Sequence, residues 1–180
     1  MYNIGIIGIG FMGGSLAKSL SKLNIVNKII AFDKNIESLK QAKSENVITD
    51  YTLKIDEKFS DVDIVFICTP SKLIPQIALE LEKYINDKCI ITDIGSTKKS
   101  IIEKSKELKN EFIGGHPMIG SERSGYSTSK ELLFENVLFL SKPFLVSISE
   151  NFKSKFKLTS NPFISFSLLF SQLIVYNPHI

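Results

Sequence analysis

Short apolar runs alternate with stretches of helical periodicity along most of the chain. The runs lack polar alternation, which is typical of strands that are buried on both faces of a parallel sheet. They predict strands at residues 3–7, 28–32, 47–51, 64–68, 89–92 and 112–114. Because strand and helix follow each other in turn, the pattern predicts an α/β fold with a doubly wound, mostly parallel sheet and flanking helices.

Four amphipathic stretches separate these runs and are predicted to be helices. The second helix is expected over residues 36–44 and the fourth over 98–108. The third is expected to begin with Ser71 as its N-cap and to tolerate Pro75 within its first turn. The positions predicted to face inward from the first, third and fourth helices are Met12, Leu16, Leu20, Leu23, Leu73, Ile74, Ile77, Ala78, Leu81, Ile85, Ile101, Ile102, Ser105 and Leu108.

Composition narrows the classes of partner. The chain has 180 residues, of which 43% are hydrophobic, and a net charge of +3 from 22 basic and 19 acidic residues. These charges are spread along the chain, so no basic stripe indicates a nucleic-acid partner. No apolar run approaches the ~20 residues of a membrane span, and we expect a cytoplasmic protein. Cys68 and Cys89 lie in apolar runs and are predicted to be buried thiols, without a disulfide or a metal site.

A glycine motif follows the first predicted strand. Gly8, Gly10 and Gly13 form a G-x-G-x-x-G pattern that leads into a predicted helix opened by Phe11 and Met12. In such a pattern the first glycine permits a tight turn, the second admits a pyrophosphate and the third allows close packing. The free N–H groups of the helix N-terminus attract phosphate, so the motif predicts a dinucleotide site in a Rossmann-type fold. A glycine turn without a ligand is the alternative.

An acidic residue supports this interpretation. Asp33 ends the second predicted strand, twenty residues after Gly13. There a carboxylate can accept hydrogen bonds from ribose hydroxyls and would repel a 2′-phosphate, which favours NAD over NADP. Thr69, Pro70 and Asp93 end two further strands at the same carboxyl edge, where ligands of open α/β sheets bind, and are predicted as additional cofactor contacts. Ordinary loop chemistry is the alternative for Thr69.

Residues 114–136, GGHPMIGSERSGYSTSKELLFEN, resemble the glycine-histidine-proline segment of the prephenate and arogenate dehydrogenase family. Together with the glycine motif, CTP at 68–70 and DIGSTK at 93–98, the resemblance covers residues 1–140. It implies an NAD-dependent oxidoreductase of tyrosine biosynthesis that oxidatively decarboxylates prephenate to 4-hydroxyphenylpyruvate. Arogenate as the substrate, another two-domain dehydrogenase and a non-catalytic dinucleotide-binding module are the alternatives.

The resemblance also assigns three catalytic residues. His116 matches the histidine that takes the proton of the substrate's ring hydroxyl while hydride leaves the same carbon. Ser96 matches a serine that helps to orient that hydroxyl and the imidazole, and Glu122 matches an acid at the entrance of the active site. A structural hydrogen bond is the alternative for His116, and a solvated loop charge is the alternative for Glu122.

The composition changes near residue 140, which is the one place where we divide the chain. The tail at 141–180 is rich in Ser and Phe, has no arginine, and has His179 as its single histidine. In the family a helical domain follows here, forms a homodimer and supplies an arginine for the substrate carboxylates. We therefore expect impaired activity in this short chain, and a frameshift or a truncated reading frame is the hypothesis for the tail.

Overall fold

The computed structural model describes residues 1–119, 122–134 and 139–143. The strands are β1 (Tyr2–Ile7), β2 (Val26–Phe32), β3 (Asp50–Thr52), β4 (Ile64–Ile67), β5 (Ile90–Asp93), β6 (Phe112–Pro117) and β7 (Phe139–Pro143). The α-helices are α1 (Phe11–Leu20), α2 (Ile36–Ser44), α3 (Ile74–Leu81) and α4 (Lys99–Ser105). Three 3-10 helices cover Glu57–Phe59, Tyr126–Thr128 and Glu131–Phe134.

The seven strands form one sheet in the order β3-β2-β1-β4-β5-β6-β7. Pairing is parallel from β3 through β6, and β7 joins β6 in antiparallel register. The predicted doubly wound, mostly parallel sheet is therefore confirmed. The strand order reverses between β1 and β4, and open sheets of this kind bind ligands in the crevice at the carboxyl end of such a switch point.

The sheet separates two apolar cores. Ile6 of β1 and Phe66 of β4 belong to the core that includes residues of α1 and α2. Their chain neighbours Ile7 and Val65 belong to the opposite core, which includes residues of α3 and α4. This alternation follows from the period of two in a strand, and it explains why the strands are apolar without interruption.

The third helix starts later than the sequence indicates. Leu73 holds the N-cap position of α3 without a side-chain cap, so Ser71 as the N-cap was wrong. A turn in which the Leu73 N–H donates to the Pro70 carbonyl over 2.9 Å comes first. Pro75 lies in the first helical turn as predicted, and because it lacks an N–H, one donor that an N-cap side chain would satisfy is missing. Leu73 is 43% exposed rather than inward-facing.

Other boundaries differ by a few residues. α1 ends before Leu23, which is nevertheless buried, and α4 ends before Leu108, which is half-buried. β3 begins at Asp50 rather than at Val47, which is buried in the turn that follows α2. The largest difference is β6, which continues through the predicted glycine-rich loop as far as Pro117. Pairing with β7 gives these residues backbone partners, which extends the strand.

The strand β7 crosses the predicted division at residue 140. Residues 144–180 lie outside the described residues, so the division itself stays a prediction. Within the described ranges, no helix combines the length and apolar character that a membrane crossing requires. The same part of the chain gathers no group of three or more His, Cys, Asp or Glu residues around a potential metal position.

Candidate functional site

The glycine turn after β1 has the geometry that the motif predicts. Gly8 adopts φ +90°, in the left-handed region that favours glycine, and its N–H donates to the Phe32 carbonyl over 2.8 Å. A Cβ atom at Gly13 would lie 1.9 Å from the Gly8 carbonyl oxygen. No side chain can be accommodated at that distance, so these two glycines allow α1 to start directly against the end of β1.

The N-terminus of α1 is available to an anion. Gly10 occupies the N-cap, and the first intrahelical bond runs from the Gly14 N–H to the Gly10 carbonyl over 2.8 Å. The N–H groups of Phe11, Met12 and Gly13 precede that bond and have no acceptor within the helix. A Cβ atom at Gly10 would meet no described atom within 4 Å. This open space at a positively polarised helix end fits a pyrophosphate.

Asp33 follows β2 and connects two loops of this edge. Its Oδ2 accepts a hydrogen bond from the Ile9 N–H over 2.7 Å, and its Oδ1 accepts one from the Asn35 N–H over 2.8 Å. The side chain is half-buried. A carboxylate has about four lone-pair positions, so acceptor capacity remains for ribose hydroxyls. The sequence did not predict the bond to Ile9, which fixes the glycine turn.

Thr69 lies beside the glycine turn at the end of β4. Its Cγ2 would be 3.0 Å from a Cβ atom at Gly8, and its Oγ1 is buried without a hydrogen-bond partner in the described chain. Such an unsatisfied hydroxyl costs free energy unless a ligand or water pairs with it. Pro70 is exposed at the same edge. Burial, and to a lesser extent the Asp93 charge, raise the pKa of the neighbouring Cys68 thiol, which keeps it neutral.

Asp93 is a fully buried carboxylate at the end of β5. It accepts hydrogen bonds from the N–H groups of Gly95 over 2.8 Å and Gly115 over 3.1 Å, and it forms an ion pair with the Lys98 ammonium. Burial lowers the pKa of Lys98, and the charge and hydrogen bond of Asp93 oppose that effect. With three donors from the protein, Asp93 organises the edge of the sheet, and its direct contact with a cofactor stays a prediction.

The Asp93 bonds bring two predicted catalytic residues to the same edge. Gly95 directly precedes Ser96, and Gly115 directly precedes His116 on β6. Ser96 is exposed, whereas His116 is half-buried and its Nδ1 is buried without a hydrogen-bond partner among the described residues. Within the described residues, that nitrogen is therefore available to a ligand. Glu122 is exposed beyond β6, and no described contact joins it to His116 or Ser96.

Comparisons with known proteins agree with this geometry. The family profile described as "Prephenate dehydrogenase, nucleotide-binding domain" matches residues 16–144. A prephenate dehydrogenase of Bacillus subtilis is 32% identical over 145 residues, which are 77% of this chain and 38% of that protein. The chain therefore spans about two fifths of the length of this relative.

Solved structures show the same similarity. The prephenate dehydrogenase of A. aeolicus, in complex with hydroxyphenyl propionate and NAD+, aligns with a TM-score of 0.81 and 30% identity over 96% of this chain and 57% of that one. The arogenate dehydrogenase of Synechocystis aligns with a TM-score of 0.77 and 26% identity, covering 96% and 57%. The matched profile covers well over half of the chain and includes β6 with His116. The chain thus belongs to the prephenate dehydrogenase family and contains its nucleotide-binding domain.

Proposed function

We propose that this chain binds NAD and provides the nucleotide-binding half of a dehydrogenase that oxidatively decarboxylates prephenate to 4-hydroxyphenylpyruvate. The observation that carries the proposal is the position of His116, whose Nδ1 has no hydrogen-bond partner among the described residues and which lies at the sheet edge where Asp33 and the glycine turn lie. Binding groups for a nucleotide and a proton acceptor thus lie at the same carboxyl edge of the sheet. The NAD complex of the A. aeolicus relative supports the choice of cofactor.

The dinucleotide would be held mainly by backbone groups. The open N-terminus of α1 beside Gly10 would receive the pyrophosphate, and Asp33 would accept hydrogen bonds from the adenosine ribose. The Thr69 hydroxyl, which no group in the described part of the chain pairs with, would donate or accept a hydrogen bond at the same edge. NAD supplies the hydride acceptor when it is bound. Because Asp33 carries a negative charge, a 2′-phosphate would be repelled, and we propose NAD rather than NADP.

In this proposal the chain's own residues handle the proton. His116 accepts it from the ring hydroxyl of the substrate, because a neutral imidazole nitrogen is a proton acceptor that suits general-base catalysis. Ser96 orients the hydroxyl, and Asp93 holds both residues at the edge through its bonds to Gly95 and Gly115. Glu122 contacts the polar groups of the substrate from the exposed side of the edge.

The experiment is a calorimetric titration of the purified chain with NAD and with NADP, followed by an absorbance assay for reduced cofactor on addition of prephenate. NAD binding that is tighter than NADP binding is expected. Turnover would support the complete proposal, whereas absence of binding for both dinucleotides would overturn it. Asp33→Ser is the matched variant, because it should weaken NAD binding and reduce the preference over NADP.

Two other functions have specific support. The arogenate dehydrogenase of Synechocystis has a similar fold at 26% identity, so arogenate is tested beside prephenate in the same assay. The chain spans only 38% of the B. subtilis relative, which favours a nucleotide-binding module that needs a further domain for catalysis. Binding of NAD without turnover of either substrate would favour that module. Homodimerisation, which the family resemblance implies, is tested by sedimentation of the same sample.

A further inference from the structure

The sheet edge at which Ser96 and His116 lie is here called the catalytic edge. The segment 125–134, here called the strap, follows it in the chain and lies along α1. The Lys130 N–H donates to the Ser15 hydroxyl over 2.9 Å, and the Ser19 hydroxyl donates to the Glu131 carbonyl over 2.5 Å. Both serine side chains are buried on α1. The two hydroxyls also donate to carbonyls within α1, from Ser15 to Phe11 and from Ser19 to Ser15, and the strap backbone adds a further partner to each.

A glycine of α1 makes room for the strap. A Cβ atom at Gly14 would lie 2.7 Å from Cδ2 of Tyr126 and 3.1 Å from Cβ of Ser129. The dinucleotide motif itself uses Gly8, Gly10 and Gly13, and it gives no reason for a glycine at the next position. The reason lies in the strap, whose aromatic ring packs directly on the helix backbone.

Tyr126 is the main anchor of the strap. Its side chain is 1% exposed, and its hydroxyl donates to Oε2 of Glu45 over 2.7 Å. The Lys18 ammonium lies 4.8 Å from the centre of the Tyr126 ring and 3.5 Å from the same Glu45 oxygen. One cluster therefore joins α1, the end of α2 and the strap.

The charges of this cluster support one another. Burial alone would raise the pKa of Glu45, but the hydrogen bonds from Tyr126 and Gln41 and the charge of Lys18 give a net decrease, so Glu45 is ionised. Burial, followed by the bond to Glu45, raises the pKa of Tyr126, so the phenol stays protonated and donates a hydrogen bond. At neutral pH the phenol is therefore a donor to a charged acceptor, which is stronger than a bond between neutral groups.

The strap is attached at one end to the catalytic edge. Glu122, Arg123 and Ser124 come directly before Gly125, where the strap begins with φ +82°. At its other side the strap is fixed to α1, the helix whose N-terminus forms the proposed pyrophosphate site. A single helix thus contacts both the nucleotide region and the segment that follows Glu122.

We propose that Tyr126 is a positioning residue that anchors the segment carrying Glu122 to α1, so that docking of the strap and binding of a dinucleotide at α1 favour each other. The second half of this statement rests on the proposed function. Reciprocity is required by thermodynamics, because two events that stabilise the same helix conformation must each strengthen the other.

The test is limited trypsin digestion of the full chain, in which mass spectrometry measures the rate of cleavage after Arg123. A protease binds several extended residues on each side of the cleaved bond, so cleavage after Arg123 requires the buried Tyr126, three residues further along the chain, to leave α1. Loss of a hydrogen bond to a charged but partly exposed acceptor is expected to raise this rate roughly tenfold in Tyr126→Phe. Tyr84→Phe, at an exposed position after α3, is the matched control and should leave the rate unchanged.

Saturating NAD provides the second comparison. We expect NAD to slow cleavage after Arg123 more than cleavage after Lys88, an exposed site before β5. If NAD binds by calorimetry but protects both sites equally, the link to the nucleotide site is wrong. If NAD does not bind, the proposed function fails, whereas the comparison of Tyr126→Phe with wild type without NAD still tests the anchor.

A second variant with a smaller change separates the loss of the anchor from misfolding of the chain. Glu45→Gln keeps an acceptor for the Tyr126 hydroxyl but removes the charge that faces Lys18. It should increase cleavage after Arg123 in the same direction as Tyr126→Phe but by a smaller factor. Unchanged cleavage in both variants, at an unchanged melting temperature, would refute the anchoring role of Tyr126.

Discussion

Replacement of Gly10 by alanine separates nucleotide binding from folding. The added Cβ would meet no described atom within 4 Å, and the backbone φ of −72° suits alanine. Alanine is a poorer N-cap than glycine, but it also reduces the entropy of the unfolded chain. These effects are both below about 1 kcal/mol and oppose each other, so the free energy of unfolding should change by less than about 0.5 kcal/mol.

The same methyl group would fill the space proposed for the pyrophosphate. A phosphate pushed away from the helix N-terminus loses at least one hydrogen bond to a charged group, which contributes about 1.5–3 kcal/mol. The dissociation constant for NAD should therefore rise roughly 10- to 150-fold in Gly10→Ala. Calorimetric titration measures this change, and urea unfolding of the same sample measures stability.

Gly13→Ala is the contrasting variant. Its Cβ would lie 1.9 Å from the Gly8 carbonyl oxygen, a backbone atom that cannot move away as a flexible side chain could. The turn must shift, which is expected to destabilise the fold by about 1–3 kcal/mol as well as to weaken NAD binding. Unaltered NAD affinity in Gly10→Ala would refute the pyrophosphate position. A loss of stability in Gly10→Ala equal to that in Gly13→Ala would refute the open space.

Three further predictions concern the catalytic edge and the strap. Asp93→Asn leaves the largely buried Lys98 ammonium without its carboxylate, so the free energy of unfolding in urea should fall by about 3 kcal/mol, and adding Lys98→Met should restore part of it. His116→Asn should leave NAD affinity within about twofold by calorimetry, while prephenate-dependent cofactor reduction in an active preparation falls about 10²- to 10⁴-fold; equal losses in both would contradict a proton-transfer role. The pKa of Tyr126 is raised above its ordinary value of 10.0, so above pH 10 the unfolded chain releases a proton that the folded chain keeps. The free energy of unfolding is therefore unaffected by this group below pH 10 and falls as the pH rises above it. Unfolding free energies of Tyr126→Phe should therefore decline less steeply above pH 10 than those of wild type, and parallel curves would contradict this.

Local signals in the sequence were sufficient for some elements. The helix α2 was predicted over residues 36–44 and lies there, because Asn35 caps it and Leu39 and Ala42 recur at helical spacing. The Asn35 side chain accepts hydrogen bonds from the Glu37 and Ser38 N–H groups. The glycine turn was equally predictable, since its steric requirements are met within six residues of sequence.

Other features depend on contacts between distant residues. The strap has no hydrophobic period, and its anchor Tyr126 contacts Glu45, which lies 81 residues earlier. The hydrogen bond from the Gly115 N–H to the Asp93 carboxylate joins residues that are 22 positions apart and connects β6 to β5 at the catalytic edge. A composition or periodicity analysis cannot detect such pairs. The continuation of β6 through two glycines is likewise decided by its neighbours rather than by strand propensity.

The position of β7 has a consequence for the strand that carries His116, because β7 rather than β6 is the edge strand of the described sheet. Gly114 and Gly115 weaken β6 as a strand, and as an edge it would offer a smooth, unpaired backbone to another chain. The antiparallel β7 pairs with β6 from Ile113 to Pro117 and covers that backbone. A chain shortened to end before Phe139 would uncover the strand that carries His116, and the expected result is intermolecular strand pairing and precipitation, which light scattering would detect.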